Sequence, residues 1–387
     1  MIKMLNAISS KIDEPEAAAA ELLEQIKSHG GLLKNSVGII ACYYEFTETD
    51  ILDLLHKNLQ FDIIGTTVMG SATNAGCGME QISLCVLTSD DISFSTSFSE
   101  VITKDNIEPT VKQAYAQARA KLDGEPSLIF ALAPISREAM GDAVLQGLDS
   151  ACGGIPIFGT LSNETSLTYE NASILYNGEK HQNKMAMILM RGEIKPRFYC
   201  TAISDKNIQK QAAVVTDSDG YFLKTINNIP LEEYLKTIGV QIYGLAAVTT
   251  LPFLVDYGDG AKPVALSMYS ISSEGAYLGG KVPVGAKILF AEADSDSVIE
   301  TAEITLKKVL DDVRQNGANG IFAIPCFTRC LLLSPESEKE MIKTKELIGG
   351  AAPFMLCYSG GEICPVYGKD GKIINRFHNL TYTAMVF

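Results

Sequence analysis

The sequence predicts an α/β fold in two domains, with mixed β-sheets against which helices pack. Two observations support this prediction. The order strand, helix, strand, loop, strand recurs at three places along the 387 residues, and such alternation favours parallel pairing of the strands that flank each helix. Hydrophobic residues make up 47% of the chain, enough for two or three packed domains of roughly 100–200 residues each.

The first repeated unit begins at Val37. The segment VGIIACYY is a short apolar run rich in β-branched and aromatic residues, which predicts a buried strand, and TETDILDLLHKNL predicts an amphipathic helix. A second strand, FDIIG, runs into a loop of small and hydroxylated residues. Two further strands, around residues 80 to 88 and 92 to 98, complete the unit and favour antiparallel additions to the sheet.

The same order of elements returns twice. In the second unit the strands are SLIFALA and IPIFG, a helix from Arg137 separates them, and the loop TLSNETS follows. In the third unit the strands are GIFAIPC and PFMLCYSGG, and the helix between them starts near Ser334 and stops at Gly349. Residue identity between the units is weak, so the repeat is one of element order alone.

A domain boundary is predicted between about residues 200 and 215, because a new hairpin around Asp219-Gly220 and a short helix after Pro230 follow it. We therefore divide the chain into three parts. They are a helical lead-in over residues 1–34, an N-terminal domain over 35–205 and a C-terminal domain over 206–387.

Composition argues against several classes of function. The net charge of −14, from 46 acidic and 32 basic residues, argues against binding nucleic acid and against docking on anionic lipid. Because there is no apolar run of about 20 residues and no signal-peptide core, we expect a cytoplasmic protein without membrane insertion. Most of the nine cysteines lie in apolar surroundings, which suits a reducing compartment.

Small residues follow the second strand of each unit, where ligands of α/β proteins commonly bind. Gly65-Thr66 and Gly159 occupy this position in the first two units. The alternative is a tight turn without a ligand. No GxGxxG or GxxxxGK[ST] pattern is present, so nucleotide binding is unsupported and no cofactor is predicted.

Glu362 is the acidic residue of CYSGGEICP, which follows a stretch expected to be buried and includes Tyr358 and Gly361. A carboxylate at a pocket mouth accepts hydrogen bonds from an ammonium, a guanidinium or a hydroxyl; the alternative is an exposed turn residue. Arg329 in IPCFTRC follows another buried strand, three residues after Cys326. It could hold a ligand carboxylate in a bidentate manner or pair with Glu362 as a structural salt bridge.

The terminal strand, RFHNLTYTAMVF, is preceded by His378 and Asn379. A lone histidine entering an apolar strand is more often structural than catalytic. Cysteines near this histidine lack zinc-finger or ribbon spacing and no CxxC pair occurs, so no metal site is predicted. An alternative is a catalytic triad in which Cys326 is the thiol nucleophile, His378 the base and Glu362 the acid that orients the base.

These segments resemble the FIST family. CYSGGEICP followed by FHNLTYTAMVF resembles the end of its C-terminal domain, IPCFTRC resembles its Cys-x-x-Arg strand end, and DSDGYFLKTINNIPLEEYLKTIG resembles its entry segment. The loops at Gly65 and Gly159 suit its N-terminal domain, while Leu380 stands where the family usually has Gln. The resemblance implies a sensory module that binds a small molecule, with amino acids as candidates, and that acts through a separate signalling protein.

The resulting hypothesis is a ligand-binding protein in which an amino acid places its carboxylate on Arg329 and its ammonium on Glu362. The predicted ligand-binding residues are Arg329, Glu362, His378, Cys326, Tyr358, Asn379, Gly361, Gly65, Thr66 and Gly159. The first alternative is a cysteine-dependent hydrolase or transferase using Cys326 and His378. The second is an adaptor whose surface binds protein and whose pocket is vestigial.

Overall fold

A computed structural model of the protein describes residues 2–136, 138–166, 168–240 and 251–387. In this structure three units follow one another, and each has the order strand, helix, strand, helix and then four strands, with additional short elements in the third. The first unit comprises β1 (Ile2–Ser9), α1 (Pro15–Ser28), β2 (Asn35–Cys42), α2 (Ile51–Asn58), β3 (Ile63–Thr67), β4 (Ser71–Thr73), β5 (Cys77–Gly78) and β6 (Ile82–Ser89).

The second unit repeats this order without additions. It comprises β7 (Ser93–Phe98), α3 (Ile107–Arg119), β8 (Leu128–Ala133), α4 (Gly141–Cys152), β9 (Ile157–Leu161), β10 (Ile174–Tyr176), β11 (Glu179–His181) and β12 (Ala186–Arg191).

The third unit begins with β13 (Arg197–Thr201) and is then interrupted by an insert with its own antiparallel sheet and hydrophobic core. The insert comprises β14 (Ala213–Asp219), β15 (Phe222–Ile226), β16 (Ile229–Pro230), α5 (Leu231–Thr237), β17 (Phe253–Asp256), β18 (Val264–Leu266), β19 (Met268–Ser272), β20 (Gly275–Leu278) and β21 (Lys287–Phe290). The predicted hairpin at Asp219-Gly220 is the turn between β14 and β15.

After the insert the third unit resumes with a long helix. Its remaining elements are α6 (Ser295–Asn316), β22 (Ile321–Pro325), α7 (Phe327–Leu332), α8 (Lys339–Ile348), β23 (Phe354–Cys357), β24 (Glu362–Ile363), β25 (Val366–Tyr367), β26 (Ile373–Ile374), β27 (Phe377–His378) and β28 (Tyr382–Val386). Asp294 caps α6 by accepting a hydrogen bond from the backbone N–H of Ser297 at 2.7 Å.

The units exchange strands in a cyclic manner. The three six-stranded sheets have the orders β1-β6-β2-β3-β10-β11, β7-β12-β8-β9-β24-β27 and β13-β28-β22-β23-β4-β5. The second unit thus adds β10 and β11 to the first sheet, the third adds β24 and β27 to the second, and the first adds β4 and β5 to the third. In each sheet the central pair is parallel and its neighbours on both sides are antiparallel. The predicted mixed sheets are therefore confirmed.

The inner faces of the three sheets share one hydrophobic core. Ile39, Phe130 and Phe322 contribute to it from three different sheets, and the rings of Phe130 and Phe322 lie 4.9 Å apart. Side chains alternate along a strand, so the neighbouring Ile40 and Ile129 face outward. The outer faces pack against the helix pairs α1 and α2, α3 and α4, and α6 and α8.

Three local predictions differ from the structure. The lead-in over residues 1–34 is not wholly helical, because Ile2–Ser9 form a strand that pairs with β6 over eight positions. The strand near 92 to 98 belongs to the second sheet, since β7 pairs with β12. The helix of the second unit begins at Gly141, and its predicted start at Arg137 lies outside the described residues. No helix among the described residues is long and apolar enough to cross a membrane.

Candidate functional site

The loops that follow β3, β9 and β23 meet at one end of the shared core. Each starts with a similar hydrogen bond, in which a residue one or two positions after the strand donates its N–H to the carbonyl oxygen of the last residue of the parallel neighbour. The pairs are Val68 with Cys42, Ser162 with Ala133, and Ser359 with Pro325, all at 2.8 Å. The three loops predicted from the sequence therefore occupy equivalent positions.

Hydrogen bonds between the loops hold them together. The N–H of Asn163 donates to the carbonyl of Thr67 at 2.9 Å, and the hydroxyls of Thr160 and Ser359 lie 2.6 Å apart. The side-chain nitrogen and oxygen of Asn163 are both buried and lack a partner among the described residues. This meeting point combines loops that lie almost 300 residues apart and explains why no local motif marks it.

Gly65, Thr66 and Gly159 were predicted to follow their strands, but they lie within the buried strands β3 and β9, because each strand continues two residues beyond its glycine. A Cβ on Gly159 would lie 1.9 Å from the carbonyl oxygen of Ala131, and one on Gly65 would lie 2.8 Å from that of Ile40. These glycines allow the parallel strands to approach. The Thr66 hydroxyl donates to the carbonyl of Thr67 at 3.2 Å.

Gly361 faces the ring of Phe377, to which an added Cβ would come within 2.4 Å. The N–H of Gly361 donates to the hydroxyl of Ser359 at 2.9 Å, so the Ser359 side chain holds the turn that precedes Glu362. The glycine thus lets β24 pack closely against β27.

Arg329 is 1% exposed, and all three nitrogens of its guanidinium donate hydrogen bonds to the protein. Nε and Nη2 both donate to Oε1 of Glu340, at 3.0 and 2.6 Å, which occupies the edge that would otherwise hold a ligand carboxylate. Nη2 also donates to the carbonyl of Val298, and Nη1 donates to that of Leu380. The predicted salt bridge between Arg329 and Glu362 is wrong, because Arg329 pairs with Glu340 of α8 instead.

Glu362 is fully buried and only half satisfied. Oε2 accepts hydrogen bonds from the hydroxyl and the backbone N–H of Thr381, at 2.7 and 3.2 Å. Oε1 is buried and has no hydrogen-bond partner among the described residues. Burial raises the pKa of Glu362 to about 8, against the lowering effect of the Thr381 hydrogen bonds, of the nearby Cys326 thiol and of the Arg329 charge. The surface-turn alternative for Glu362 is therefore excluded.

His378 pairs with Glu362 across β24 and β27 and is 3% exposed. Its Nε2 lies 3.0 Å from the carbonyl oxygen of Cys364, and its Nδ1 lies 3.8 Å from Sγ of Cys200. Burial lowers the pKa of His378 to about 4, so the imidazole is neutral at physiological pH, with the proton on Nε2.

Cys326 lies beside Glu362 but is not activated as a nucleophile. Burial, and next the charge of Glu362, raise its thiol pKa far above the ordinary range. The ring nitrogens of His378 are engaged by Cys200 and Cys364, so His378 is not positioned as its base. The geometry therefore gives no support to a Cys326–His378 pair.

Tyr358 and Asn379 connect the site to its surroundings. The Tyr358 hydroxyl donates to the carbonyl of Ser337 at 3.4 Å, beside α8. The side-chain oxygen of Asn379 accepts from the N–H of Ser267 in the insert at 3.1 Å, which ties the terminal strand to the insert. Both residues are buried and act here as packing and hydrogen-bonding groups.

Three residues of the site lie outside the predicted ligand-binding set. Thr381 holds Glu362, and Glu340 neutralises Arg329. Tyr269 comes from the insert and is 46% exposed. Its hydroxyl lies near Asn379, because a Cβ on Gly279 would be 3.1 Å from that hydroxyl and 2.1 Å from Oδ1 of Asn379. Burial of the hydroxyl end raises its pKa. No group of three or more His, Cys, Asp or Glu side chains in the described part of the chain could hold a metal ion.

Two family domains cover most of the chain. Residues 36–229 match the FIST N domain, and residues 230–365 match the FIST C domain. The chain belongs to the FIST family. FIST domains suggest a sensory role in which a small ligand is bound, and the resemblance found in the sequence is confirmed.

Solved structures with a distant likeness to this FIST protein include two cyanuric acid hydrolases. One is 9% identical with a TM-score of 0.30, covering 76% of this chain and 99% of its own. The other, from A. caulinodans, is 9% identical with a TM-score of 0.38, covering 100% of this chain and 98% of its own. Similarity this low does not decide function. No curated protein is significantly similar to this chain.

Proposed function

We propose that this FIST protein is a cytoplasmic sensory module that binds a small molecule at Glu362 and signals through a separate protein. The observation that supports this most is the unpartnered Oε1 of Glu362, a fully buried carboxyl oxygen beside the meeting point of three loops. A buried acceptor without a partner costs about 1–3 kcal/mol, which a ligand that supplies a donor would recover.

The chemistry of Glu362 favours a ligand with an ammonium group. With a pKa of about 8 the free carboxyl is mostly protonated at neutral pH. An ammonium beside it would favour the ionised form and make a charge-assisted hydrogen bond. An amino acid remains the candidate ligand, with its ammonium on Glu362. Its carboxylate needs another partner, because the bidentate edge of Arg329 is occupied by Glu340.

Access to Glu362 is proposed to lie on the side of the insert. Tyr269 of the insert is partly exposed, and so is Phe327 of α7, which packs edge-on against Tyr169 with ring centroids 6.2 Å apart. Small shifts of these aromatic side chains would open the region without disturbing the sheets. Movement of the insert against the repeated units would then transmit ligand binding to a partner.

Calorimetric titration with a panel of amino acids and simple primary amines tests the proposal. We expect one class to bind and the Glu362→Gln variant to lose at least ~10-fold in affinity, equivalent to ~1.4 kcal/mol. The exposed Glu336→Gln variant is the matched control and should bind as the wild type does. Equal affinity in Glu362→Gln would remove Glu362 from the site. The adaptor alternative would be favoured if, in the presence of ligand, a signalling partner bound Glu362→Gln with the same affinity as the wild type.

A further inference from the structure

A cleft of about 240 Å³ lies between α4 and the insert, on the outer face of the second sheet. Leu145, Leu266 and Phe377 contribute apolar surface to it. Phe377 belongs to the hydrophobic cluster on the helix side of its sheet, whereas the adjacent His378 pairs with Glu362. Since successive side chains of a strand point to opposite faces, this cleft is separate from the Glu362 site.

Arg376 brings an incompletely satisfied cation into the cleft. Its guanidinium forms an ion pair with Asp259 through Nη2 and lies over the ring of Tyr257, with Cζ 5.2 Å from the centroid. Its Nε is buried and has no hydrogen-bond partner among the described residues. An N–H that lines a cleft and lacks an acceptor is a favourable contact for a ligand oxygen.

Lys281 adds a second cation to the same cleft. Its ammonium donates to the neutral side-chain oxygen of Gln146 at 2.8 Å. The nearby Asp142 is already occupied, since its two oxygens accept from the hydroxyl of Tyr221 at 2.5 Å and the backbone N–H of Lys281 at 3.0 Å. Asp149, the other acid that lines the cleft, accepts a hydrogen bond from the side-chain nitrogen of Asn375 at 2.5 Å. Nε of Arg376 is thus the buried polar atom of the cleft that lacks a partner among the described residues.

We propose that this cleft binds a small carboxylate bearing an aromatic or branched apolar group. The carboxylate would accept hydrogen bonds from Nε of Arg376 and from Lys281, and the apolar group would lie on Phe377, Leu145 and Leu266. The cleft is smaller than most ligand pockets, which enclose about 300–1,000 Å³, so it suits a small ligand. Bound between α4 and the insert, such a molecule would fix their relative position.

Titration with phenylacetate, followed by calorimetry or by protein NMR, tests this site. We expect phenylacetate to bind and the uncharged phenylacetamide to bind at least ~10-fold more weakly. Arg376→Gln should weaken phenylacetate binding by a similar factor. Arg314→Gln, which removes an exposed cation elsewhere, should not change it.

Two further variants make the result decisive. The exposed Lys281→Gln variant should also weaken binding, and it replaces Arg376→Gln if circular dichroism shows that the latter is unfolded. Glu362→Gln should leave phenylacetate binding unchanged, which separates this site from the proposed sensory site. The proposal would be overturned if phenylacetate did not bind the folded wild type, or if both cleft variants bound it as tightly as the wild type does. Loss of phenylacetate binding in Glu362→Gln would overturn it as well.

Discussion

Arg329 and Glu340 form an ion pair of 2.6 Å in which the two side chains are only 1% and 0% exposed. Burial acts to lower the pKa of Arg329, but the Glu340 carboxylate outweighs it and raises the pKa overall, so the guanidinium stays charged. The pair links α7 to α8, and the additional bonds to Val298 and Leu380 extend it to α6 and to the segment just before β28. The arginine therefore holds four segments of the third unit together.

Breaking this pair should destabilise the protein strongly. Arg329→Met or Glu340→Leu leaves a buried charged group without its partner, and we expect each to lower the free energy of unfolding by about 3–5 kcal/mol. The double variant Arg329→Met/Glu340→Leu should lose less than the sum of the single variants. Urea denaturation measures all three. Additive losses would show that the pair does not act as a unit.

Glu362 should make stability depend on pH. Its pKa is raised from 4.5 to about 8 on folding, so the folded state binds more protons than the unfolded state between these values. The stability that Glu362 contributes is therefore fully present below about pH 4.5 and is lost as the pH rises to about 8. The total loss in the free energy of unfolding is at most ~5 kcal/mol. Denaturant midpoints across this range should fall less in Glu362→Gln than in wild type. Parallel profiles would contradict the raised pKa.

Ligand binding should release a proton if the ligand presents an ammonium. The free carboxyl of Glu362 is mostly protonated at pH 7, and the bound form is ionised. Affinity should then rise with pH up to about 8, by a factor approaching ~10 per unit while the carboxyl is protonated. Titrations in buffers of different ionisation enthalpy measure the released proton. Proton uptake, or an affinity independent of pH, would argue for an uncharged ligand.

Gly159 should be intolerant of any side chain. A Cβ there would overlap the carbonyl oxygen of Ala131, which belongs to the rigid parallel neighbour. We expect Gly159→Ala to cost about 3 kcal/mol or more. Gly31→Ala is the control, because nothing lies within 4 Å of its Cβ position. Thermal unfolding compares the two variants, and a similar melting temperature for both would mean that the strands can separate without cost.

The thiol of Cys326 should be protected from alkylation. It is buried and its pKa is raised by burial, whereas Cys77 is the cysteine of the first unit that is partly exposed. Peptide mapping after brief iodoacetamide treatment should find Cys77 labelled at least ~10-fold faster. Cys77→Ser should remove the fast phase, and His378→Asn should not alter the rate at Cys326. Rapid labelling of Cys326 that depends on His378 would restore the cysteine-enzyme alternative.

Much of the fold follows from local sequence. Apolar runs such as VGIIACYY and SLIFALA are buried strands, and the spacing of apolar residues in α3 and α6 indicates the helix faces that pack on the sheets. These patterns are local because burial and hydrogen bonding within a strand or helix depend on nearby residues. Local sequence also predicted the order of elements in each unit and the likeness to the FIST family.

The partners of those elements were decided by the tertiary structure. A strand as short as β24 has no preference of its own for β9 over β23, so the cyclic exchange of strands follows only from packing three units around one core. The same holds for the site. The sequence identified Arg329 and Glu362 as unusual polar residues near buried strands, but it contained no information on which acid would neutralise the arginine. Coulomb attraction between buried groups depends on distance in space, and Glu340 lies closest to the guanidinium, while Glu362 keeps an oxygen unpaired.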